Sequence, residues 1–146
     1  MADSHSLQEI SVNTPIEVLN SINKNTLMGQ LGIEYLSVTE SKVTGRMPVD
    51  ARTHQPSGIL HGGASLAFAE TLAGLGSSLL VDMALYSVRG IQVSANHIGY
   101  AKEGFVYGLA EIFHQGSMTH VWNVNISDAS GKIISTCRVT NMITKK

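Results

Sequence analysis

An α+β fold, with an antiparallel sheet wrapped around one central buried helix, is what this sequence predicts. Two observations carry that expectation. First, Gly62–Leu80 is a helix-length run of mainly Ala, Gly, Ser and Leu, with Glu70 as its only ionisable group. A helix that is apolar all round is buried all round, and small residues on several faces let other backbone approach closely. Second, four runs follow that alternate apolar and polar residues between short connections, the mark of an antiparallel sheet. To bury the helix on every side, such a sheet must curl around it.

The elements follow in chain order. Residues 1 to about 13 read as a polar, loosely held arm, and residues 14–146 as a single domain. Thr14 is placed to cap a short helix beginning at Pro15, a favoured first-turn residue. Ile16, Val18, Leu19 and Ile22 give that helix a broad apolar side. Ile33–Ser37 and Lys42–Pro48 are two short strands around a turn at Glu40–Ser41. Ala51–Gly58, with Pro56 and Gly58, is a loop. After the central helix come strands at Val88–His97, Gly104–His114, Thr119–Ser127 and Lys132–Ile143. In the second, Phe105, Tyr107, Leu109, Glu111 and Phe113 share one face. In the third, Trp122, Val124 and Ile126 oppose Asn123 and Asn125. Asp128–Gly131 is a turn signal between the last two.

Composition excludes several classes. The 146 residues fit one domain. A chain of this size buries most of its apolar surface without disulfide staples. The single cysteine, Cys137, rules out an intrachain disulfide and fits a reducing, cytoplasmic compartment. It sits mid-strand and reads as a small buried hydrophobe. A net charge of −1 with no basic block argues against nucleic-acid binding. The N-terminus lacks the basic and apolar regions of a secretory signal. Residues 62–81 contain no Lys, Arg or Asp, yet Glu70 and the many Gly and Ser residues argue against a membrane span.

Glu70 is the first candidate for chemistry. Between Thr53 and Val81 it is the only residue charged at neutral pH. A carboxylate in a buried helix is costly unless it is paired or used. The two readings are a structural Glu with a distant partner, and a nucleophile or general base. Gly62 and Gly63 open the helix directly after His61. Backbone N–H groups at a helix start lack intrahelical partners, and the macrodipole adds positive potential there, which suits a polarised carbonyl or an oxyanion. Other motifs fail. There is no dinucleotide loop, Walker loop or Gly-x-Ser-x-Gly elbow. The six histidines show no metal-ligand spacing, so no metal is expected.

The stretch Met47-Pro-Val-Asp-Ala-Arg-Thr-His-Gln-Pro-Ser-Gly-Ile-Leu-His-Gly-Gly-Ala-Ser65, with Ala69-Glu70, resembles the hotdog-fold thioesterases of the 4-hydroxybenzoyl-CoA type. It is most similar to the branch holding 1,4-dihydroxy-2-naphthoyl-CoA thioesterase and the proofreading thioesterase of enterobactin synthesis. The similarity runs from about Leu27 to Thr144 and includes Ser94-Ala-Asn-His97, Gly116-Ser117 and Val121-Trp122. It implies a sheet around a central helix, dimers pairing into tetramers, and no cofactor beyond the coenzyme A of the substrate. It implies that Glu70 attacks the thioester or activates water, that the Gly62 N–H polarises the carbonyl, and that Gln55 and His61 orient substrate and water. Gly63, Asn96, His97, Ser117 and Thr119 fall at family positions for the substrate or coenzyme A. Two departures stand out. Gly74 occupies a position where the family often has Ser or Thr, and Gly99 and Met118 lie near positions where relatives carry Arg; Lys102 is the candidate substitute.

The expected reaction is hydrolysis of an acyl-CoA, with an aromatic acyl group favoured by resemblance. A thiol with a pKa of about 8.5 leaves readily as thiolate, so no strong general acid is required. Nucleophilic attack and general-base catalysis by Glu70 both remain open, as do a hotdog dehydratase or hydratase and a non-catalytic acyl-CoA sensor. Gly62 and Glu70 are eight residues apart, about 12 Å along one helix. One helix cannot bring both to a single thioester, so each site is expected to be shared between two chains.

Overall fold

The computed structural model describes residues 7–146. A 3-10 turn at Leu7–Glu9 precedes α1 (Ile16–Ile22), α2 (Leu27–Leu31), β1 (Glu34–Val38) and β2 (Lys42–Pro48). The long helix α3 (Gly62–Leu79) is followed by β3 (Tyr86–His97), β4 (Phe105–Gln115), β5 (Thr119–Ser127) and β6 (Ile133–Lys145). The strands form one sheet in the order β1-β2-β4-β5-β6-β3, antiparallel throughout. α3 packs against five of them, β2 to β6, so the sheet curls around the helix as the hotdog resemblance implies.

The strands lie close to their expected positions because period-two burial is strong. Val106, Gly108 and Ala110 of β4, and Trp122, Val124 and Ile126 of β5, face the core. Two glycines set how closely helix and sheet approach. A Cβ on Gly76 would lie 2.4 Å from the Trp122 ring, and one on Gly108 would lie 2.5 Å from Leu72. Only hydrogen fits at either place. Asp128 closes the β5–β6 turn by accepting from the Ser130 and Lys132 N–H groups, and Gly131 there has φ +87°.

Several expectations need correction. Thr14 does not cap α1. Its hydroxyl accepts from the Ser11 N–H, and Pro15 stands at the cap position without a side-chain bond. Residues 1–6 of the expected arm lie outside the described residues, while Ile10 is buried against the core. The short helix α2 was not expected; its five residues, ended by Gly32 in the left-handed conformation at φ +71°, are too few to show a period. The largest correction concerns α3. Its buried face runs through Ala64, Phe68, Leu72, Ala73 and Leu79, but Glu70 is exposed within the chain. The sheet covers one side of the helix and leaves the Glu70 side open.

A buried polar network locks the C-terminal half of α3. The Ser77 hydroxyl accepts from Trp122 Nε1 (2.9 Å) and Asn141 Nδ2 (2.9 Å) and lies 3.1 Å from His120 Nδ1. With both acceptor positions used, the Ser77 proton must go to His120 Nδ1, which requires a neutral imidazole. Burial and the nearby His114 lower the His120 pKa from its ordinary value. The native state therefore resists protonation while the unfolded chain takes up a proton near the usual histidine range. That term stabilises the fold above that range and is lost as pH falls through it. The melting temperature should drop between about pH 7.5 and about pH 5.5, and the drop should shrink in His120→Gln. Parallel pH profiles for the two proteins would contradict the network. Among the described residues, no helix is long and apolar enough to cross a membrane.

Candidate active site

The loop before α3 is held by its own backbone. The buried Thr53 hydroxyl donates to the Pro48 carbonyl at 2.7 Å, and the His61 N–H bonds the Thr53 carbonyl at 2.8 Å. The Gln55 N–H bonds Ile59, and the Leu60 N–H bonds Ala101. The Arg52 guanidinium hydrogen-bonds Asp50 and holds that carboxyl down at about 2. These bonds deliver His61 to the α3 N-cap, where its Nδ1 accepts from the Gly63 N–H at 2.7 Å. Ala64 and Ser65 bond back to the His61 carbonyl. The Gly62 N–H thus stands without a bond to any described residue, as a carbonyl clamp would require. The Gln55 side-chain oxygen accepts from the Ser57 N–H, within its own loop.

His97, at the end of β3, lies over this helix start. A Cβ on Gly62 would fall 2.7 Å from His97 Nε2, so glycine is needed for the ring to approach. His97 Nδ1 lies 2.9 Å from the hydroxyl of the buried Ser135. Asn96 is beside it and exposed. Lys102 is also on this side; its carbonyl lies 2.8 Å from His54 Nε2, and its ammonium stands 5.8 Å over the Tyr100 ring. His61, Gly62, Gly63, Asn96, His97, Gln55 and Lys102 therefore share one end of the domain.

Glu70 lies two helical turns away, near the other end of β3. A Cβ on Gly90 would sit 3.1 Å from Glu70 Oε1, and Gly90 pairs with Asn141 beside a bulge in β3. The carboxylate opens into a largely apolar cavity of about 510 Å³ between α3, β3 and the N-terminal helices. Gly74, one turn further along, lines the same cavity, and a Cβ there would meet nothing within 4 Å. The space beside Gly74 is therefore open. A smaller groove of about 290 Å³ runs past His61 and Gly63 and shares Leu27 and Ala67 with the cavity.

Ser117 and Thr119 fall on the Glu70 side, in and after the β4–β5 turn. Thr119 pairs with Met142 of β6, whereas His97 pairs with Ser135. Seven residues of strand separate those rows, about 23 Å. One chain therefore does not bring Ser117 and Thr119 together with Asn96 and His97. Gly99 packs against β6, since a Cβ there would meet the Ile133 carbonyl at 2.9 Å, so no side chain fits at this position. Met118 is exposed and under no such restriction. Among the described residues, no three His, Cys, Asp or Glu side chains are placed to hold a metal ion. Cys137 is buried, and burial raises its thiol pKa.

Sequence reasoning missed Gly90, Ser135 and Asn141. Gly90 carried a usable signal, since a glycine inside a strand marks a bulge or a close approach.

The site is thus a free N–H at a glycine-opened helix start and a carboxylate beside an apolar cavity. The model of the Thioesterase superfamily matches residues 57–135, more than half of the 146-residue chain. The chain belongs to the thioesterase superfamily. Its similarity to named relatives extends well beyond that segment. It is 35% identical over 128 residues to the 1,4-dihydroxy-2-naphthoyl-CoA hydrolase of Escherichia coli, covering 88% of this chain and 93% of the relative. It is 38% identical over 128 residues to the proofreading thioesterase EntH of Cronobacter turicensis, with 88% of this chain covered and 93% of the relative. The crystal structure of a mutant of thioesterase PA1618 from Pseudomonas aeruginosa superposes with a TM-score of 0.90 at 38% identity, covering 97% of this thioesterase and 100% of that chain. The family, the hotdog fold and thioester hydrolysis as the reaction class agree with the sequence expectation.

Proposed function

We propose that this thioesterase hydrolyses an acyl-CoA to the free acid and coenzyme A, with Glu70 as nucleophile or general base and the Gly62 N–H polarising the thioester carbonyl. The observation that carries the proposal is the Glu70 carboxylate opening into an apolar cavity large enough for an acyl group. His61 and Gln55 orient the carbonyl and the water. Lys102, Gly63, Asn96 and His97 serve the coenzyme A portion from one end of a chain, with Ser117 and Thr119 serving it from the other end of a second copy. The acyl group is aromatic, in line with the named activity of the Escherichia coli relative. The chemistry needs no cofactor, and the enzyme works in the reducing cytoplasm.

Each complete site draws on two chains. Among the described residues, β3 is a sheet edge bonded only to β6, and it carries exposed Ile91, with exposed Ile98 just past its end. Such an edge invites pairing with a copy of itself. If two β3 strands pair antiparallel about a two-fold between Val93 and Ser94, Gly90 of one chain lies opposite His97 of the other. That arrangement sets the Glu70 of one chain beside the Gly62, His61 and Gln55 of its copy. Two such dimers then associate into a tetramer.

The test is to mix the enzyme with aromatic and aliphatic acyl-CoAs and follow free thiol. Thiol release with formation of the free acid supports hydrolysis. Hydration or dehydration of the acyl chain without thiol release would mean a dehydratase or hydratase, and binding without turnover would mean a sensor.

A further inference from the structure

Four arginines occur in the chain, and three have partners inside it. Arg46 pairs with Glu34 at 2.8 Å. Arg52 pairs with Asp50 at 2.7 Å. Arg138 Nε donates to Asn123 Oδ1 at 3.0 Å, and its guanidinium lies 4.5 Å over the Phe113 ring. Arg89, on β3, differs. It is exposed, and among the described residues its guanidinium has no ion pair, hydrogen bond or aromatic ring. Its cross-strand neighbour is Met142, with Thr140 and Thr144 on the diagonals, so β6 sets no carboxylate beside it. A planar fork of N–H donors is left for an anion from outside the chain.

Strand geometry gives this arginine its place. Val88 and Gly90 line the Glu70 cavity, so Arg89 between them points to the other face of the sheet. It pairs with Met142, and Met142 pairs with Thr119. Opposed residues of an antiparallel sheet share a face, so Arg89 stands in one row with Thr119, two strands or about 10 Å away. The two-fold pairing of β3 that sets Gly90 against His97 of the other chain also sets Arg89 against Ile98 of that chain. Asn96, which is exposed, is two residues from Ile98 and shares its face. Arg89 of one chain thus lies between its own Thr119 and Asn96 of the other chain, which the proposed function assigns to coenzyme A from two sides. Neither Gly99 nor Met118 brings a charge to this junction. A Cβ on Gly99 would meet the Ile133 carbonyl at 2.9 Å, and Met118 is neutral.

We propose that Arg89 binds a phosphate of the coenzyme A nucleotide at the junction of two chains. The proposal rests on the acyl-CoA hydrolase reading above, with its shared site, and adds a residue that selects the carrier end of the substrate rather than its acyl group. Coenzyme A carries a diphosphate and a 3′-phosphate, and a guanidinium can meet two oxygens of such a group at once. At physiological ionic strength an exposed cation still acts over about 8 Å, so Arg89 needs no enclosed pocket to favour the nucleotide. The contact is remote from the thioester. It therefore strengthens binding of substrate and transition state alike, which lowers KM and leaves kcat as it is.

The experiment compares acyl-CoAs with the matching acyl-pantetheines, which keep the thioester and carry no phosphate, for a benzoyl and a hexanoyl group. Thiol release is followed with the wild-type enzyme, Arg89→Gln and Arg89→Lys. Wild-type kcat/KM should favour the acyl-CoA, and that preference should fall by roughly tenfold in Arg89→Gln, the size of one charge-assisted bond. The loss should appear in KM. Arg89→Lys should keep part of the preference, and high salt should reduce it in the wild type. A solvated or merely structural Arg89 would leave the ratio of acyl-CoA to acyl-pantetheine unchanged in Arg89→Gln, whatever happens to each rate, and that overturns the proposal. A wild-type ratio near one overturns it too. In both cases thiol is released and the hydrolase reading stands. No thiol from any of the substrates overturns both.

Discussion

On the proposed mechanism, Glu70→Ala should lower thiol release from acyl-CoA by about a thousandfold, because that mechanism needs the Glu70 carboxylate to attack the carbonyl or take the proton from water. The fold should survive. Glu70 is exposed within the chain, makes no hydrogen bond or ion pair among the described residues, and faces a cavity rather than the core. Removing it therefore leaves no partner unsatisfied and no packed volume empty. A melting temperature within a few degrees of the wild type, together with near-complete loss of turnover, separates a chemical role from a structural one. If the variant keeps more than about a tenth of the activity, Glu70 is not the reacting carboxylate.

The isolation of Glu70 was legible in the sequence, but its setting was not. The α3 run is built from Ala, Gly, Ser and Thr, which suit close backbone packing and an open cavity wall equally well. Gly76 and Gly74 show the ambiguity two residues apart. The first is filled by Trp122, and the second meets nothing. Composition alone assigned both to packing, and so Glu70 was expected to be buried. The strands were legible because alternation is local: Trp122, Val124 and Ile126 announce their face without reference to the rest of the chain.

Contacts set by topology were not legible. His97 reaches Gly62 and Ser135 only because β3 crosses to the far edge of the sheet and pairs with β6. The same crossing places Ser117 and Thr119 far from Asn96 within one chain, although the resemblance groups all four at one ligand. α2 escaped notice because five residues with an internal Gly29 show no helical period. The Tyr35–Asn23 hydrogen bond joins a helix end to a strand twelve residues on, a contact that no spacing rule would single out.

The central claim is that carboxylate and carbonyl clamp come from different chains, and mixed dimers test it most directly. Gly62 and Glu70 are about 12 Å apart along α3, while both must act within about 3 Å of one thioester group. The Glu70→Ala chain is co-expressed, under a second affinity tag, with a Gln55→Ala/His61→Ala chain, and each variant alone is inactive or nearly so. In a two-fold dimer of one chain of each kind, one shared site carries every lesion and the other carries none. With random pairing about half of the dimers are mixed, so about a quarter of wild-type activity should return, and doubly tagged dimers should approach about half. Doubly tagged dimers that stay as inactive as their parents would contradict the claim and place the whole site within one chain.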